Sequence, residues 1–417
     1  MNEIKMWLES RIGLNFRSGL ERMSQAISLL NHPEENYPII HVTGTNGKGS
    51  TIAFMSQLFV QHEKKVGTFT SPHMASIHDR ICINHEPISD EDFTRLGRQV
   101  QEMERQLRQT HDPLSYFEIL TLVALLYFKE EQVDVALIEV GIGGLLDTTN
   151  VLTGDIAVVT SVGLDHQETL GDSIVAIAEQ KAGIFKEKKI AVIGPLAEEA
   201  RRVCELRADE LGVVLYEYGR DFSFSKGEFS NQDKMIVGLQ LGLKGTYQEE
   251  NTAVALQSFL LFMKQQNWQP QVKWIRKALQ ETHWAGRLEY FERGIYLDGA
   301  HNLPALSRLV EFIRRQEQKE IFLLFGALKR KNYQGMLSYL KQELPDVRLT
   351  ITTFEDDGAI DKRNLTTETY IASYQEFIEQ FIKSANDNQL LFVTGSLYFI
   401  AEVRAFLLEK VVDRSKN

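Results

Sequence analysis

Short apolar runs alternate with longer amphipathic segments along most of the chain. The short runs predict buried β-strands, and the longer segments predict helices because apolar residues recur in them every three or four positions. In the first half of the chain the predicted strands are Ile39–Val42, Val66–Thr70, Val133–Val140, Ile156–Val162 and Ile190–Ile193. The predicted helices lie at about 50–62, 91–109, 116–130, 170–187 and 197–211. This alternation indicates an α/β fold with a mostly parallel sheet that helices cover on both faces.

The pattern changes twice further along the chain. Residues 221–243 carry short alternating runs with glycine and predict a small antiparallel addition, after which helices resume at about 249–265 and 271–281. A break near His283 precedes a second alternating series. Its predicted strands are Ile295–Leu297, Ile321–Phe325, Arg348–Thr352 and Leu390–Val393, with helices at about 303–318, 333–343, 368–386 and 397–410. We therefore expect two α/β domains, residues 1–285 and residues 286–417.

Composition narrows the class of protein. The 417 residues are 43% apolar and 25% charged, as is typical of soluble globular proteins. No run approaches the roughly 18 apolar residues of a membrane-spanning helix, and the N-terminus lacks the layout of a secretion signal. Cys82 and Cys204 lie far apart without metal-ligand spacing, which favours a reducing compartment. We expect a cytoplasmic protein without a membrane partner, and a monomer because no helix has an obvious exposed apolar face.

The glycine-rich segment 43–51 is the most informative motif. It reads Thr-Gly-Thr-Asn-Gly-Lys-Gly-Ser-Thr and lies between a predicted strand and a predicted helix. Glycines let backbone N–H groups point at phosphate oxygens, and the N-terminus of a helix adds its dipole. A lysine can reach the outer phosphates, and a hydroxyl can bind Mg²⁺. The segment predicts a phosphate cradle formed by Thr45, Asn46, Gly47, Lys48, Gly49, Ser50 and Thr51.

Two common nucleotide motifs do not fit. An ordinary P-loop needs glycine at position 42 and Ser or Thr at 49, where this chain has Val42 and Gly49. A dinucleotide fingerprint that starts at Gly141 needs glycine at position 146, which is Leu146, so we do not expect NAD. Glu139, by contrast, ends an apolar strand, where open α/β sheets place their ligands and where a carboxylate suits Mg²⁺.

The net charge of −11 bears on possible partners. It opposes binding to nucleic acid or to an acidic membrane, and no block of Lys and Arg contradicts this. It also repels a nucleotide. Phosphate binding must therefore depend on local positive groups and on Mg²⁺.

Six segments in the same order resemble the folylpolyglutamate synthase and dihydrofolate synthase family, whose members are ATP-dependent amide ligases related to the Mur enzymes. The segments are the cradle, Phe69-Thr-Ser-Pro-His, Glu139-Val-Gly-Ile-Gly-Gly-Leu-Leu-Asp-Thr-Thr-Asn, Ser161-Val-Gly-Leu-Asp-His, Tyr296-Leu-Asp-Gly-Ala-His-Asn and Val393-Thr-Gly-Ser-Leu-Tyr. The resemblance implies an N-terminal Mur-ligase-like ATPase domain of the P-loop type and a Rossmann-like C-terminal domain.

The resemblance also implies roles for individual residues. Mg²⁺ is expected at Ser50, Ser71, Glu139, His166 and Lys181, with Lys181 carbamylated by CO₂. This modification is chemically coherent, since a lysine in an apolar pocket has a lowered pKa and a neutral amine can add CO₂. Residues expected to act in catalysis are Lys48, Lys181, His166, Glu139 and His301. ATP is expected to contact the cradle together with Asn251, Arg287, Asp298 and His301. Weaker candidates for contact with the folate or another substrate are His73, Arg80, Phe117 and Asn150.

The implied reaction uses ATP and Mg²⁺ to add L-glutamate in γ-linkage to a folate through an acyl phosphate. Dihydropteroate is an alternative acceptor, alone or in addition, and the motifs do not decide between them, nor do they give the preferred folate or chain length. Cell-wall ligases carry a further domain before the cradle, and the 42 residues before Thr43 are too few for one. A non-enzymatic nucleotide-binding regulator would not need so many metal ligands.

Four positions depart from the family pattern. Asp79 replaces a glutamate, Leu145 replaces an arginine, and Arg330 and Asn332 replace two acidic residues. The arginine's contacts are therefore in doubt, and the sequence alone does not explain the two replaced acids.

Overall fold

The computed structural model describes residues 3–13, 20–317 and 319–415 and divides into two α/β units. The first unit comprises Met1–Ser71, Ser76–Gly242 and Glu249–Thr282. The second comprises Pro72–Ala75, Leu243–Gln248 and His283–Asn417. The two short segments that belong to the second unit interrupt the sequence of the first, and no sequence pattern indicated them.

An eight-stranded sheet forms the centre of the first unit. Its strands are β1 (Ile39–Thr43), β2 (Val66–Phe69), β3 (Ile81–Ile83), β4 (Glu86–Pro87), β5 (Val135–Glu139), β6 (Ile156–Val159), β7 (Ile190–Ile193) and β8 (Val214–Glu217). They are arranged in the order β4-β3-β2-β5-β1-β6-β7-β8. The six strands from β2 to β8 in this order are parallel, and the hairpin β3-β4 is antiparallel to β2. The carboxyl ends of β5, β1 and β6 are therefore neighbours at one edge.

Helices pack on this sheet because their apolar faces need a partner. They are α1 (Glu3–Glu9), α2 (Glu21–Leu29), α3 (Lys48–Gln61), α4 (Asp90–Leu107), α5 (Tyr116–Glu130), α6 (Gln167–Leu170), α7 (Ile174–Ala182), α8 (Glu198–Leu211), α9 (Tyr247–Gln265) and α10 (Val272–Glu281). Helix α5 is buried along most of its length and contributes much of one large core cluster. Among the helices that the structure describes, none is long and apolar enough to cross a membrane.

The predicted antiparallel addition is a three-stranded sheet in the first unit. Its strands are β9 (Phe222–Ser225), β10 (Glu228–Asn231) and β11 (Met235–Ile236), in the order β11-β10-β9. Phe222, Phe224 and Phe229 are buried, so one face of this sheet is covered.

The second unit has a six-stranded sheet of its own. Its strands are β12 (Glu289–Phe291), β13 (Ile295–Leu297), β14 (Glu320–Phe325), β15 (Arg348–Thr352), β16 (Tyr370–Ile371) and β17 (Gln389–Thr394). The order is β12-β13-β17-β14-β15-β16, and only β12 is antiparallel to its neighbour. The helices are α11 (Leu303–Arg314), α12 (Tyr333–Glu343), α13 (Tyr374–Ser384) and α14 (Leu397–Ser415). Separate buried clusters lie on the two faces of the sheet.

The α/β prediction is confirmed, and the differences lie in short elements. Strands β3, β4, β8, β12 and β16 were not predicted. The helix predicted at about 368–386 is wrong over its first residues, where the chain forms β16, and α13 begins only at Tyr374. Strands this short carry few positions to show a period. The helix predicted at 170–187 is two pieces, α6 and α7, since Gly171 with a φ of 96° ends the first.

Candidate active site

The glycine-rich loop after β1 is held by the end of the neighbouring strand β6. The backbone N–H of Thr45 donates to the carbonyl of Ser161 at 3.0 Å, and that of Asn46 donates to Ser161 Oγ at 2.9 Å. Thr160 Oγ1 donates to the carbonyl of Asn46 at 2.6 Å. The loop therefore has a fixed shape before any phosphate binds.

At two glycines of the loop, Gly44 and Gly47, any side chain would clash with a neighbouring residue. A Cβ at Gly44 would lie 1.9 Å from Thr160 Oγ1. Gly47 has a φ of 88°, and its Cβ would lie 2.4 Å from Asn251 Oδ1 on α9. Because left-handed backbone and close approach both favour glycine, this loop needs glycine at position 47. The same contact brings Asn251, a predicted ATP ligand, against the cradle.

Lys48 is the first residue of α3 and folds back over the loop. Its Nζ donates to the carbonyl of Gly44 at 2.9 Å and lies 4.0 Å from Glu139 Oε1. Ser50 and Thr51, together with Gly49 between them and Lys48, form the first turn of α3, where the dipole favours an anion. Among the residues that the structure describes, the buried Thr51 Oγ1 has no hydrogen-bond partner.

Glu139 lies at the carboxyl end of β5 and is 3% exposed. The backbone N–H of Ser71, which follows β2, donates to Glu139 Oε2 at 3.3 Å. Glu139, Ser71 and Lys48 thus meet at adjacent strand ends although the sequence separates them widely. The topology brings these three predicted residues together.

Lys181 lies on α7 and is only 2% exposed. Burial, together with repulsion from Lys48, lowers its pKa from 10.5 to about 7, while Asp165 and Asp147 oppose this change. His166 directly precedes α6 as its N-cap residue, with a φ of 49°, and its Nε2 lies 4.0 Å from Asp165 Oδ1. Lys181 is therefore a buried amine that is partly neutral near pH 7.

These donors fit Mg²⁺. A carboxylate and hydroxyls are the oxygen ligands that this ion takes, and the cradle supplies the adjoining phosphate site. Lys48 and Lys181 lie close enough to repel each other, which is unfavourable if both amines are charged.

The four weaker candidates have different environments. The ring of Phe117 is tilted by 31° against that of Phe69, with ring centroids 5.4 Å apart, and lies next to Gly141. Arg80 is 8% exposed, and its guanidinium lies 5.8 Å from the ring centre of Tyr116. His73 lies in the short segment Pro72–Ala75 of the second unit.

Asn150 is used inside the protein. Its Nδ2 donates to the carbonyls of Leu145 at 2.9 Å and Gly183 at 3.2 Å, and its Oδ1 accepts from Lys186 Nζ at 3.0 Å. Both ends of the amide make hydrogen bonds, so Asn150 connects the segment after β5 that contains Leu145 to the end of α7.

In the second unit, Arg287, Asp298 and His301 surround Gly299. Arg287 Nη1 lies 2.7 Å from the position of a Cβ at Gly299. Asp298 accepts hydrogen bonds from the backbone N–H groups of Leu288 and Ala300, each at 3.0 Å. Burial raises the pKa of Asp298, and Arg287 acts in the opposite direction. His301 Nδ1 contacts the carbonyl of Gly299 at 2.8 Å, so Nδ1 carries the proton and donates.

Local structure accounts for two of the four departures from the family pattern. Asp79 Oδ2 accepts from the backbone N–H of Ser76 at 3.0 Å within a capping box, a task that a shorter acid can perform. Asn332 caps α12, where Oδ1 accepts from the N–H of Gly335 at 3.1 Å, and Asn and Asp are comparable caps. Leu145 is 39% exposed, and nothing in the structure explains it or Arg330.

The sequence analysis did not predict a buried hydrogen-bond network beside the glycine-rich segment 141–144, which follows β5. Asp147 Oδ1 accepts from Thr149 Oγ1 at 2.6 Å, and Asp147 Oδ2 accepts from the N–H of Ile142 at 2.9 Å. His41 Nε2 lies 2.8 Å from Thr149 Oγ1. Since Thr149 donates to Asp147, His41 must donate to Thr149. The Asp-x-Thr spacing typical of a local turn was the available signal.

Comparison with known proteins agrees with this geometry. Residues 42–259 match the Mur ligase middle domain, and residues 286–397 match the Mur ligase glutamate ligase domain. Fold and site thus define an ATP-dependent ligase of the Mur type.

Two curated relatives give the family. The chain is 32% identical to dihydrofolate synthase/folylpolyglutamate synthase from Bacillus subtilis, over 96% of this chain and 98% of that protein. It is 34% identical to folylpolyglutamate synthase from Lacticaseibacillus casei, over 93% of this chain and 94% of that protein. The chain belongs to the folylpolyglutamate synthase and dihydrofolate synthase family.

Solved structures of similar proteins extend over almost the whole chain. A folylpolyglutamate synthase complex with AMPPCP and folate superposes with a TM-score of 0.87 at 33% identity, covering 98% of this chain and 100% of that one. A bifunctional folylpolyglutamate synthase/dihydrofolate synthase with Mn, AMPPNP and L-glutamate bound gives 0.85 at 28% identity, covering 97% and 98%.

Proposed function

We propose that this enzyme joins L-glutamate to a folate, in γ-linkage, at the expense of ATP. The acceptor carboxylate attacks the γ-phosphate to give an acyl phosphate, and the amine of glutamate then displaces phosphate. The observation that carries the proposal is the meeting of Lys48, Glu139 and buried Lys181 beside a preformed phosphate cradle. Both reactants of the first step are anions, so the site's main task is to neutralise charge and to position them.

The cradle, residues 45–51, is proposed to bind the ATP phosphates through its N–H groups and Lys48. Lys48 Nζ donates to the carbonyl of Gly44, and we expect it to exchange this contact for a phosphate oxygen. Asn251, which contacts Gly47, is proposed to contact the nucleotide, as are Arg287, Asp298 and His301 of the second unit. We also propose that His301 takes part in catalysis.

The metal ligands proposed are Ser50, Ser71, Glu139, His166 and Lys181. Bound Mg²⁺ would neutralise phosphate charge and polarise the phosphoryl group that is transferred. The chain's own part is to hold Glu139 at a strand end and Lys181 in a dry pocket. We propose that Lys181 is carbamylated: the neutral amine attacks CO₂, a nitrogen–carbon bond forms, and one proton leaves to solvent.

For the acceptor, we propose that the enzyme uses folates and that dihydropteroate is a second acceptor. The proposal of dihydropteroate as a second acceptor is supported by the similarity to the Bacillus subtilis protein, whose name gives both activities. The match covers 98% of that protein. Two residues of the first unit are proposed to contact the acceptor: Phe117, which lies next to Gly141, and Arg80, which lies close to the end of β2. His73 is proposed from the second unit. A cytoplasmic location fits the two buried thiols, Cys82 and Cys204, which form no disulfide.

Release of ADP by the purified enzyme tests this proposal. The assay contains Mg·ATP and L-glutamate with either a reduced folate monoglutamate or dihydropteroate. Turnover with both acceptors supports a bifunctional enzyme, turnover with folate alone a dedicated polyglutamate synthase, and turnover with dihydropteroate alone a dihydrofolate synthase. No acceptor-dependent ADP from either would refute the proposed substrates.

Lys48→Ala should abolish this turnover and leave the fold intact, because Lys48 makes only one hydrogen bond within its own loop and one long ion pair among the described residues. Circular dichroism and thermal unfolding check the fold. ADP release by Lys48→Ala at the wild-type rate would contradict the assignment of the cradle.

A further inference from the structure

A cavity outside the proposed active site lies in the first unit, between the three-stranded sheet and α9. Its volume is about 300 Å³, and it is lined by Tyr216, Asp221, Gln257 and Trp268, with Lys234 among the exposed residues. None of the residues assigned above to ATP, metal or acceptor lines it. Its size is at the lower end of the range for small-molecule sites. Its polar lining distinguishes it from a dry packing defect.

The side-chain amide nitrogen of Gln257, which lines this cavity, makes no hydrogen bond to the residues that the structure describes. Asn231 Oδ1 accepts from the N–H groups of Asp233 at 3.0 Å and Lys234 at 2.8 Å, which fixes the orientation of the Asn231 amide. Asn231 Nδ2 must then donate to Gln257 Oε1, at 2.9 Å. Gln257 is 2% exposed, and its Nε2 has no partner among the residues that the structure describes. This donor is therefore available to a ligand or to water in the cavity.

Asp221 supplies a complementary acceptor. Its Oδ2 accepts from the N–H of Glu217 at 2.8 Å and from Arg220 Nε at 3.1 Å. Its Oδ1 has one long contact, at 3.3 Å, from the exposed Gln232 Nε2. The cavity therefore contains one strong donor position, at Gln257, and one acceptor position, at Asp221.

Ring surfaces and charge complete the description. Tyr216 and Trp268 contribute aromatic surface to the lining. Lys264 pairs with Asp233 at 3.3 Å, and Asp221 pairs with Arg220 at 3.0 Å. The two lysines and two aspartates of the lining balance in charge. Lys234 makes no ion pair within the described ranges, so its ammonium group is available to an anionic ligand.

We propose that this cavity binds a small anionic heteroaromatic molecule. The ring lies against Tyr216 and Trp268, a ring acceptor receives a hydrogen bond from Gln257 Nε2, and a ring amino or N–H group donates to Asp221 Oδ1. A phosphate or carboxylate tail contacts Lys234. Two sources share this chemistry: a nucleotide, with its phosphate, and a pteridine carboxylate.

Helix α9 connects the cavity to the cradle. Asn251 on this helix lies against Gly47, and Gln257 is six residues further along, which corresponds to about 9 Å of helix. The same helix packs on α3 through Phe59 and Phe259, whose ring centroids are 4.9 Å apart. A ligand that fixes Gln257 is therefore expected to alter the affinity for Mg·ATP as well.

Calorimetric titration of the full-length protein tests the proposal. The cradle is first filled with one equivalent of Mg·AMPPCP, and AMP or pterin-6-carboxylate is then added. The variants below decide whether the added compound binds in this cavity or at the proposed active site. We expect one of the two to bind with a stoichiometry of one. AMP binding would identify a nucleotide, and binding of pterin-6-carboxylate a pteridine.

Three variants locate the binding. Gln257→Leu keeps the volume and removes the donor, which should weaken binding about tenfold. Lys234→Glu reverses an exposed charge that forms no ion pair within the described ranges. We expect the affinity for an anion to fall by a similar factor. Lys226→Glu is the matched control, since Lys226 is an exposed lysine at the other turn of the same sheet and does not line the cavity. It should bind as the wild type does.

All three variants should keep acceptor-dependent ADP release near the wild-type value, so this test is independent of the proposed function. Binding of neither compound would overturn the inference, as would affinities that Gln257→Leu and Lys234→Glu leave unchanged. Because Lys234→Glu cannot disturb the core, the result does not depend on how well Gln257→Leu folds.

Discussion

At the scale of single residues, the buried lysine on α7 is the feature with the most chemical content. Lys181 has a pKa of about 7 because burial disfavours its charged form and Lys48 repels it. Lys186, four residues beyond the end of α7, is also partly buried, and its pKa is lowered too. Lys186 Nζ, however, donates to Asn150 at 2.8 Å and 3.0 Å. Of these two lysines, Lys181 is therefore the one whose partly neutral amine lies beside Lys48 at the proposed site.

If Lys181 is carbamylated, its loss should be repaired by an external carboxylate. Lys181→Ala should reduce ADP release roughly 10²- to 10³-fold, because one charge-stabilising group is lost. Formate should restore part of the rate by occupying the vacated space, and added bicarbonate should not. Initial rates at increasing formate concentration measure this.

Lys186→Ala is the matched control for this experiment. It removes a second partly buried lysine of lowered pKa that braces Asn150 instead of facing the metal ligands. Formate should have no effect on it. Equal rescue of both variants, or none of Lys181→Ala, would contradict the carbamate.

His41 makes stability depend on pH. Burial lowers its pKa from 6.5 to about 3, with a smaller contribution from Lys186. Since the folded state holds the neutral form, this contribution to stability is complete above pH 6.5 and is lost as the pH falls from 6.5 towards 3. The expected slope is about 1.4 kcal/mol per pH unit.

His41→Gln isolates this effect, because glutamine can still donate to Thr149 Oγ1 but does not titrate. Between pH 7.5 and pH 5.0 the wild type should lose roughly 2 kcal/mol more unfolding free energy than the variant. Urea unfolding at the two pH values measures the difference. Parallel losses in the two proteins would show that His41 is protonated without cost.

At the scale of elements, the turn between β1 and α3 determines where phosphate can bind. Gly47 has a φ of 88°, and its Cβ position is blocked by Asn251 Oδ1 at 2.4 Å. Gly219 has nearly the same φ, 86°, with nothing within 4 Å of its Cβ position. Substitution of the two glycines therefore compares the effect of a left-handed backbone alone, at Gly219, with that of the same backbone plus a steric clash, at Gly47.

Gly47→Ala and Gly219→Ala should both lose roughly 1–2 kcal/mol of unfolding free energy from the left-handed backbone. Only Gly47→Ala should lose activity, by about 10²-fold, because a shifted Asn251 or loop misplaces the phosphates. Denaturant unfolding and ADP release on the same preparations measure both quantities. Similar activity in the two variants would mean that the Gly47–Asn251 contact has no role in nucleotide binding.

At the scale of the whole molecule, charge and local chemistry oppose each other. The net charge of −11 repels Mg·ATP, whereas the cradle and Lys48 attract it at short range. Salt screens the distant charges first: the Debye length falls from about 30 Å at 0.01 M to about 8 Å at 0.15 M.

The KM for Mg·ATP should therefore stay constant or fall as ionic strength rises over this range. Steady-state rates in increasing NaCl, at fixed free Mg²⁺, give the result. A KM that rises steeply with salt would indicate that a long-range attractive field, absent from the composition, guides the nucleotide.

The sequence by itself determined what depends on neighbours along the chain. The 43–51 segment defines the end of a strand, a glycine turn and a helix start within nine residues. Alternating apolar runs define two α/β units because each run must be buried. Glu139 was recognisable because it ends an apolar run.

Only the tertiary structure decided what depends on contacts between distant segments. The order β5-β1-β6 places Glu139, Lys48 and Thr160 at adjacent strand ends, and no local pattern encodes that order. The burial that lowers the pKa of Lys181, the use of both ends of the Asn150 amide and the free donor of Gln257 all arise in the same way. Burial and hydrogen-bond satisfaction are properties of a packed environment, and that environment exists only once the chain has folded.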